Sequence, residues 1–360
     1  MYKRALTKPD GRRLVLYAAA APPTADAAPS PGPRPRADPH LRWHPLRGEW
    51  VVYAGHREDR TFLPPPEYDP LAAARPGLPP TEVPDGTWDV AVFENRFPSL
   101  AAEAPGPPPA IVDVRPAHGV CEVVVYTRET TGALGLLPLW HLELLLAVWA
   151  DRSRELGARD DVRFVFPFEN RGVEIGATLQ HPHGQIYAYP FVPPIVATEL
   201  VRQQEYLTRH GRGLLEALVA AEIEDGRRVL YAGPEAIAFV PACARWPYEV
   251  WVAPRRAVPD LCALADAERA DLARALKTVL LKYDGLWQRP FPYVMVFHQA
   301  PADGEPHPEA HVHVELYPPY RSPGRLKYLA GSEIGAGVFT NDSIPEQKAA
   351  ELQAVPVELE

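Results

Sequence analysis

The stretch of sequence best suited to chemistry is His181-Pro182-His183-Gly184-Gln185, which precedes an alternating apolar segment. Side chains on a strand repeat every second residue, so His181, His183 and Gln185 are expected to share one face. Pro182 removes a backbone donor and therefore favours a strand edge or entrance. Gly184 leaves room for a close approach to the backbone. The pattern supplies a nucleophile-capable ring, a supporting ring and an uncharged hydrogen-bond donor.

These groups suit attack on a phosphoryl centre. A neutral imidazole is a good nucleophile near pH 7, and its phosphoramidate product is labile enough to pass the group on. The amide of Gln185 can stabilise charge on a non-bridging oxygen without acting as an acid. Two structural histidines on a strand, or half of a metal site, would also explain the histidine pair taken alone.

The pentapeptide, together with Phe168–Gly172 (FENRG), resembles the active-site signature of galactose-1-phosphate uridylyltransferases, a branch of the histidine-triad superfamily. In the hydrolase branches a third histidine stands at the place of Gln185. The motif with glutamine therefore resembles that of the transferase branch. The resemblance implies transfer of UMP from UDP-glucose to galactose 1-phosphate, giving UDP-galactose and glucose 1-phosphate. It makes His183 the nucleophile of a ping-pong reaction. It also implies that Gln185 forms a hydrogen bond to the phosphoryl group that is transferred.

The resemblance also implies a set of substrate-binding residues. These are Arg57, Arg60, Asn95, Asn170, Thr178, His181, Lys327 and Glu333. A solvated turn would equally explain the two arginines. Lys327 and Glu333 belong to a Gly-rich segment that, in the family, crosses to the other subunit of a dimer and contacts the sugar, so a homodimer is expected. Ser332 and Phe339 replace a tyrosine and a glutamine of the best-known members, which leaves the sugar specificity less determined than the nucleotide chemistry.

A second polar cluster is predicted in the C-terminal half. His311, His313 and Glu315 alternate along one strand, and His298 lies on a neighbouring strand. Their nitrogen and oxygen atoms suit zinc or ferrous iron. The resemblance adds Glu199 as a ligand and leaves His311 and Glu315 competing for the fourth place. A buried polar ladder without metal is the alternative.

The family's cysteine-containing zinc site is expected to be absent from this chain. The segment that matches its Cys-x-x-Cys is Asp69-Pro70-Leu71-Ala72, and the third ligand falls near Thr130. Only His181 remains of that site. Because such a zinc would support the catalytic strand rather than act as a Lewis acid, its loss is compatible with activity.

The elements around these motifs follow from apolar periodicity. An edge strand is predicted at Arg13–Tyr17, although Leu14–Ala21 also mimics a short signal sequence, and a Pro/Ala-rich linker follows at Pro22–Pro39. Further strands are predicted at Glu49–Ala54, Trp88–Phe93, Gly119–Thr127, Val162–Phe166 and Ile186–Tyr189, and helices at Leu137–Leu156 and Thr198–Glu224.

The second half repeats the first with an offset near 130 residues. Its strands are predicted at Ala236–Val240, Trp246–Val252, Tyr293–His298 and His311–Leu316, with a helix capped by Asp266. The sequence therefore predicts an α+β fold of duplicated histidine-triad-like units, in which antiparallel sheets are backed by helices and packed together. A capping box at Ser343–Glu346 is expected to open a terminal helix. The predicted divisions are 1–40 (strand and linker), 41–205 (N-terminal catalytic domain) and 206–360 (C-terminal domain).

Composition excludes several other classes of protein. The net charge of −9 over 360 residues argues against a nucleic-acid binder. The three cysteines are too few for a disulfide framework, which favours a reducing cytoplasm. No apolar run is long enough for a membrane span.

Alternative functions remain open on the sequence alone. A related nucleotidyltransferase or phosphorylase could use an adenine nucleotide, and the lost cysteines also fit a catalytically silent nucleotide- or metal-binding scaffold. Metal-dependent hydrolysis centred on His298, His311 and His313 is a third possibility.

Overall fold

Antiparallel strands dominate the computed structural model, which describes residues 1–25, 27–58, 64–65 and 68–359. The strands are β1 (Tyr2–Thr7), β2 (Arg13–Ala18), β3 (His40–His44), β4 (Glu49–Tyr53), β5 (Val90–Glu94), β6 (Val114–Pro116), β7 (Val120–Val125), β8 (Phe164–Arg171), β9 (His183–Tyr189), β10 (Val229–Ala232), β11 (Ala236–Phe239), β12 (Val250–Pro254), β13 (Tyr293–His298), β14 (His313–Tyr317), β15 (Tyr320–Ser322) and β16 (Arg325–Leu326). The helices are α1 (Leu139–Gly157), α2 (Pro194–His210), α3 (Leu214–Asp225), α4 (Asp266–Leu286) and α5 (Pro345–Gln353).

One sheet of eleven strands runs through both halves of the chain, in the order β1-β2-β5-β7-β9-β8-β13-β14-β12-β11-β10. The order is symmetric about its centre: β5, β7, β8 and β9 of the first half correspond to β11, β12, β13 and β14 of the second. At the junction β8 pairs with β13, with Phe168 opposite Val296 and Arg171 opposite Tyr293. The predicted duplication and α+β class are confirmed. The halves, however, join edge to edge in one sheet rather than packing as two separate sheets.

Helices α1 and α4 cover one face of this sheet at equivalent places in the repeat. Helix α1 buries Leu142, Leu145, Leu146 and Trp149, whose spacing of three and four residues forms one apolar face. The Trp149 ring packs on Phe297 of β13, with 4.8 Å between the ring centroids. The helix layer therefore bridges the two halves and stabilises the central strands that carry the histidine motifs.

The N-terminal strand predicted at Arg13–Tyr17 exists, but it is not the edge of the sheet. It is β2, and β1 pairs with it on the outside while β5 pairs with it on the inside. Its Tyr17 hydroxyl donates to Asp151 of α1 at 2.8 Å, so the hairpin is attached to the helix layer. The described residues of the following linker, 22–25 and 27–39, form no helix or strand, as expected.

Several predicted element ends are corrected by the structure. The strand predicted to end at Phe166 is β8, which continues to Arg171. The helix predicted at Thr198–Glu224 is two helices, because Gly211 adopts a left-handed φ of 69°. Residue Ala265, not Asp266, is the N-cap of α4, and its N–H donates to Glu268 at 2.8 Å.

The predicted capping box at the last helix is also wrong. Helix α5 begins at Pro345, which presets the helical φ, and the Ser343 hydroxyl bonds to Asn341 at 2.8 Å instead of capping the helix. The boundary predicted between residues 205 and 206 falls inside α2, and the domain divisions stay predictions. None of the helices that the structure describes is long and apolar enough to cross a bilayer.

Candidate active site

A cleft of about 230 Å³ opens beside the histidine motif. The alternation along β9 creates it: Ile186 and Ala188 belong to the core under α1, whereas His183, Gln185 and Tyr187 line the cleft on the other face. The predicted residues Arg57, Asn95, Asn170, Thr178, His183 and Gln185 all line this cleft. The structure therefore brings together the main part of the predicted nucleotide site.

The ring of His183 is fixed by one backbone hydrogen bond. Its Nδ1 lies 2.7 Å from the carbonyl oxygen of His181, and a carbonyl can only accept. The proton therefore belongs on Nδ1, and Nε2 keeps its lone pair. Burial lowers the pKa of His183 below its ordinary value, which favours the neutral ring. This geometry and charge state are those of an imidazole nucleophile.

Gly184 is required by the packing beneath the strand. A Cβ at this position would lie 2.1 Å from the hydroxyl oxygen of Tyr126 and 2.9 Å from the carbonyl oxygen of Phe168. Tyr126 is fully buried, and its ring packs against that of Trp149 with 5.9 Å between the ring centroids. It therefore has little room to move. The glycine thus allows β9 to lie close to the layer below while His183 and Gln185 point into the cleft.

The supporting histidine, His181, is buried and held at both ring nitrogens. Its Nδ1 lies 2.6 Å from Oδ2 of Asp69, and its Nε2 lies 2.9 Å from the carbonyl oxygen of Thr127. It does not line the cleft that contains His183 and Gln185. The structure therefore gives His181 the place of a support, rather than direct access to the cleft.

Cationic and amide groups surround the rest of the cleft. Arg57 donates to the carbonyl of Phe97, and the Asn95 side chain accepts the Phe97 N–H at 2.8 Å. Arg96, which the motif analysis missed, also lines the cleft; its place directly after Asn95 was the available signal. Arg60 lies outside the described residues. No described residue makes a hydrogen bond to the Gln185 side chain, so its amide is available to a ligand.

The structure does not bring Lys327 and Glu333 into this cleft. The two side chains lie 3.4 Å apart, and Lys327 also donates to the carbonyl of Thr340. Neither residue is among the described residues that line the cleft. Any contact of these two groups with a ligand in the cleft would have to come from another copy of the chain or from a rearrangement.

A cluster of four potential metal ligands lies in the second half. One ligand atom from each of Glu199, His298, His313 and Glu315 falls within 4.8 Å of the others. The Nδ1 of His298 is buried and makes no hydrogen bond to any described residue, although it lies 2.8 Å from Glu199. A buried nitrogen left in this way fits a lone pair directed at a cation. The donor set therefore fits a metal of the zinc or iron type.

His311 lies outside this cluster. Its Nε2 is 2.9 Å from the carbonyl oxygen of Pro254, and it precedes β14 instead of belonging to it. Burial would lower the pKa of His313, but its hydrogen bond to Glu315 and the charges of Glu315 and Glu199 raise it to about 9. Of the two competing residues, the structure places Glu315 with the other three ligands.

Family models match almost the whole chain. The model described as galactose-1-phosphate uridyl transferase, N-terminal domain, matches residues 33–193, and the C-terminal domain model matches residues 199–359. The chain belongs to the galactose-1-phosphate uridylyltransferase family. The predicted family, and a nucleotidyltransferase as the class of enzyme, are thereby confirmed.

Relatives of this family extend the similarity over full-length proteins. The chain is 38% identical to a galactose-1-phosphate uridylyltransferase of Thermotoga maritima, over 89% of this chain and 99% of the relative. A solved uridylyltransferase structure superposes with a TM-score of 0.80 at 36% identity, covering 88% of this chain and 98% of the other. An ADP-glucose phosphorylase of Arabidopsis thaliana, at 22% identity and a TM-score of 0.65 over 89% and 100% of the two chains, shares the fold.

The residues that match the family's cysteine-containing zinc site do not form a metal site here. Asp69, Ala72, Thr130 and His181 line a second cavity of about 580 Å³. Ala72 offers no ligand atom, and the Nδ1 of His181 already faces the Asp69 carboxylate. Among the described residues no third His, Cys, Asp or Glu joins this pair as a possible ligand. The absence of the cysteine-containing zinc site stays a prediction.

Proposed function

We propose that the chain transfers a uridylyl group from UDP-glucose to galactose 1-phosphate by way of a covalent uridylyl-His183. One observation carries the proposal. Nδ1 of His183 donates its proton to the His181 carbonyl, which leaves the Nε2 lone pair available for nucleophilic attack, and His183 lines the same cleft as Gln185. Membership of the galactose-1-phosphate uridylyltransferase family supports the same reaction.

In the first half-reaction the Nε2 lone pair of His183 forms a bond to the α-phosphorus of UDP-glucose. The bond from that phosphorus to the β-phosphate oxygen breaks, and glucose 1-phosphate leaves with the electron pair. In the second half-reaction a phosphate oxygen of galactose 1-phosphate attacks the same phosphorus, and the P–N bond breaks. The ring returns to its starting state, and UDP-galactose is released. Because both departing groups are stable oxyanions, no strong general acid is needed.

The other residues predicted to bind the substrate keep binding or supporting roles in this proposal. The Gln185 amide donates to a non-bridging oxygen of the transferring phosphoryl group and of the intermediate. Asn170 and Thr178 orient that group, Arg57 and Arg60 pair with phosphate charge, and Asn95 contacts the ribose or base. His181 supports the nucleophile from below.

The four-ligand cluster is proposed to hold zinc or ferrous iron through Glu199, His298, His313 and Glu315. A metal there would supply structural cross-linking between α2, β13 and β14, with no part in phosphoryl transfer. We expect metal analysis to find about one ion per chain in the wild type and in His311→Gln, and much less in Glu315→Gln. An equal loss of bound metal in both variants, or no loss of metal in either, would contradict this assignment. Uridylyl transfer that stops as soon as a chelator is added to the folded protein would instead favour metal-dependent chemistry.

A homodimer in the cytoplasm is proposed as the working state. Apolar side chains around Lys327 and Glu333 support it, since Tyr328, Ile334 and Val338 are 76%, 63% and 60% exposed in the single chain. Mixing inactive His183→Gly with Lys327→Met, after dissociation and reassociation, should restore part of the activity. This follows because a mixed dimer has one site with an intact His183 and an intact Lys327 from the other subunit. No recovery, with mixed dimers present, would exclude a shared site.

The main test is the intact mass of the protein after mixing with UDP-glucose alone. We expect a gain of one uridylyl group in the wild type and in the exposed-histidine control His210→Gly, and no gain in folded His183→Gly. An adduct with ADP-glucose but not with UDP-glucose would identify the adenine-nucleotide alternative. No adduct with either nucleotide would favour a silent scaffold and overturn the proposal.

A further inference from the structure

The duplicated histidine motifs provide an internal comparison. In each half the second histidine donates from Nδ1 to the carbonyl of the first, at 2.7 Å for His183 and 2.8 Å for His313. In each half Nε2 of the first histidine lies 2.9 Å from a backbone carbonyl oxygen, that of Thr127 for His181 and that of Pro254 for His311. Both copies of the motif in this chain therefore make the same two contacts.

The two halves differ at the remaining ring nitrogen of the first histidine. The Nδ1 of His181 has Asp69 at 2.6 Å, whereas the buried Nδ1 of His311 has no hydrogen-bond partner in the part of the chain that the structure describes. Asp69 comes from a loop 112 residues before His181, so local sequence does not create this contact. Among the described residues, a carboxylate bonds to this nitrogen in the half that carries the nucleophile and not in the other half.

We infer that Asp69 is a positioning residue for His183 and acts through His181, in place of a metal ion. This inference deepens the proposed function and rests on it for the reaction that is measured. The ring of His181 is anchored on both sides, by Asp69 and by the Thr127 carbonyl. The anchored residue presents its own carbonyl to Nδ1–H of His183, which fixes the tautomer and orientation of the nucleophile.

Asp69 is itself held in place by its loop. Its Oδ1 accepts the N–H of Leu71 at 2.9 Å, and its carbonyl accepts the N–H of Ala72 at 3.2 Å. One carboxylate oxygen thus bonds to the loop and the other faces His181. A hydrogen bond with an ionised acceptor is stronger than a neutral one, so this arrangement resists rotation of the His181 ring.

The position of Asp69 separates support from substrate binding. It does not line the cleft that contains His183 and Gln185, but lines the second cavity behind His181. Removing it should therefore change the rate of attack more than the binding of the sugar nucleotide. We expect the rate of adduct formation in Asp69→Ala to fall about 10- to 100-fold, with KM for UDP-glucose little changed.

The conservative variant distinguishes positioning from folding. In Asp69→Asn the amide can still bond to the His181 ring, so the rate should recover to within a few-fold of the wild type. Asp85→Ala removes an exposed carboxylate, 67% accessible and paired with Arg128, and serves as the control. Denaturant unfolding of each variant checks that the comparison is between folded proteins.

The experiment measures the rate of adduct formation by rapid quench and intact mass, together with the ring nitrogen shifts of ¹⁵N-labelled histidine. The His183 signal, assigned with His183→Gly, should report Nδ1–H in the wild type and in Asp69→Asn, and a mixture of tautomers in Asp69→Ala. Wild-type adduct rates in Asp69→Ala, or a change confined to KM, would overturn the inference. So would a stoichiometric metal that is lost in Asp69→Ala while the Glu315→Gln variant retains it.

The nitrogen shifts need no substrate. If the wild type forms no adduct at all, the proposed uridylyl transfer fails, and the tautomer comparison still decides whether Asp69 fixes the ring. An unchanged His183 tautomer in folded Asp69→Ala would then overturn the positioning role by itself.

Discussion

Replacing Gly184 by alanine should damage both stability and catalysis, because the space below β9 is filled. The new Cβ would lie 2.1 Å from the Tyr126 hydroxyl oxygen, well short of an ordinary contact of about 3.5 Å. Tyr126 is fully buried against Trp149 and cannot withdraw into solvent. We expect a loss of about 1–3 kcal/mol in the free energy of unfolding, the usual cost of overpacking.

A second substitution makes this expectation specific. Tyr126→Phe removes the oxygen that Gly184→Ala would strike, and by itself should cost less than about 1 kcal/mol, because the hydroxyl is 3.5 Å from its partner Glu169. The double variant should recover part of the loss, with a coupling energy of about 1 kcal/mol. Recovery is incomplete because the Phe168 carbonyl oxygen and the Tyr126 ring carbon would still lie 2.9 Å from the new Cβ.

Urea denaturation of the wild type, both single variants and the double variant measures these energies. The rate of uridylyl adduct formation measures how the substitution affects His183 and Gln185, which flank the altered residue. Two results would refute the reasoning: a Gly184→Ala protein with wild-type stability and rate, or strictly additive losses in the double variant. Either would mean that β9 does not lie as close to Tyr126 as described.

Two further predictions concern buried charges. Burial raises the pKa of Glu169 to about 8 from an ordinary 4.5, so the folded protein keeps a proton that the unfolded chain loses, and stability should fall as the pH rises from about 4.5 to about 8. Glu169→Gln should flatten that fall in urea denaturation, and an unchanged pH slope would exclude this role. Arg152 bonds both oxygens of buried Glu122, at 2.7 and 2.9 Å, so Arg152→Met should cost about 3–5 kcal/mol of unfolding free energy. Arg154→Met, at a side chain 64% exposed, should change it by less than about 0.5 kcal/mol; equal losses in the two variants would contradict the assignment.

The sequence determined the parts of the site that depend on a single strand. Alternation alone places His183 and Gln185 on one face and Gly184 and Ile186 on the other, and the structure has this pattern along β9. The duplication was readable for the same reason, because each copy repeats its own apolar periodicity. Errors were concentrated at element ends, such as Gly211, where one left-handed residue divides a helix that periodicity alone does not interrupt.

Tertiary structure alone decided which distant groups meet the motif. The chain path brings Asp69 to His181, places Glu315 rather than His311 beside Glu199 and His298, and joins β8 to β13 in one sheet. Neither propensity nor periodicity specifies such contacts, since each depends on where a loop or a strand edge lies after the core has packed. The nucleophile is therefore determined by local sequence, whereas its support and the candidate metal ligands are determined by long-range packing.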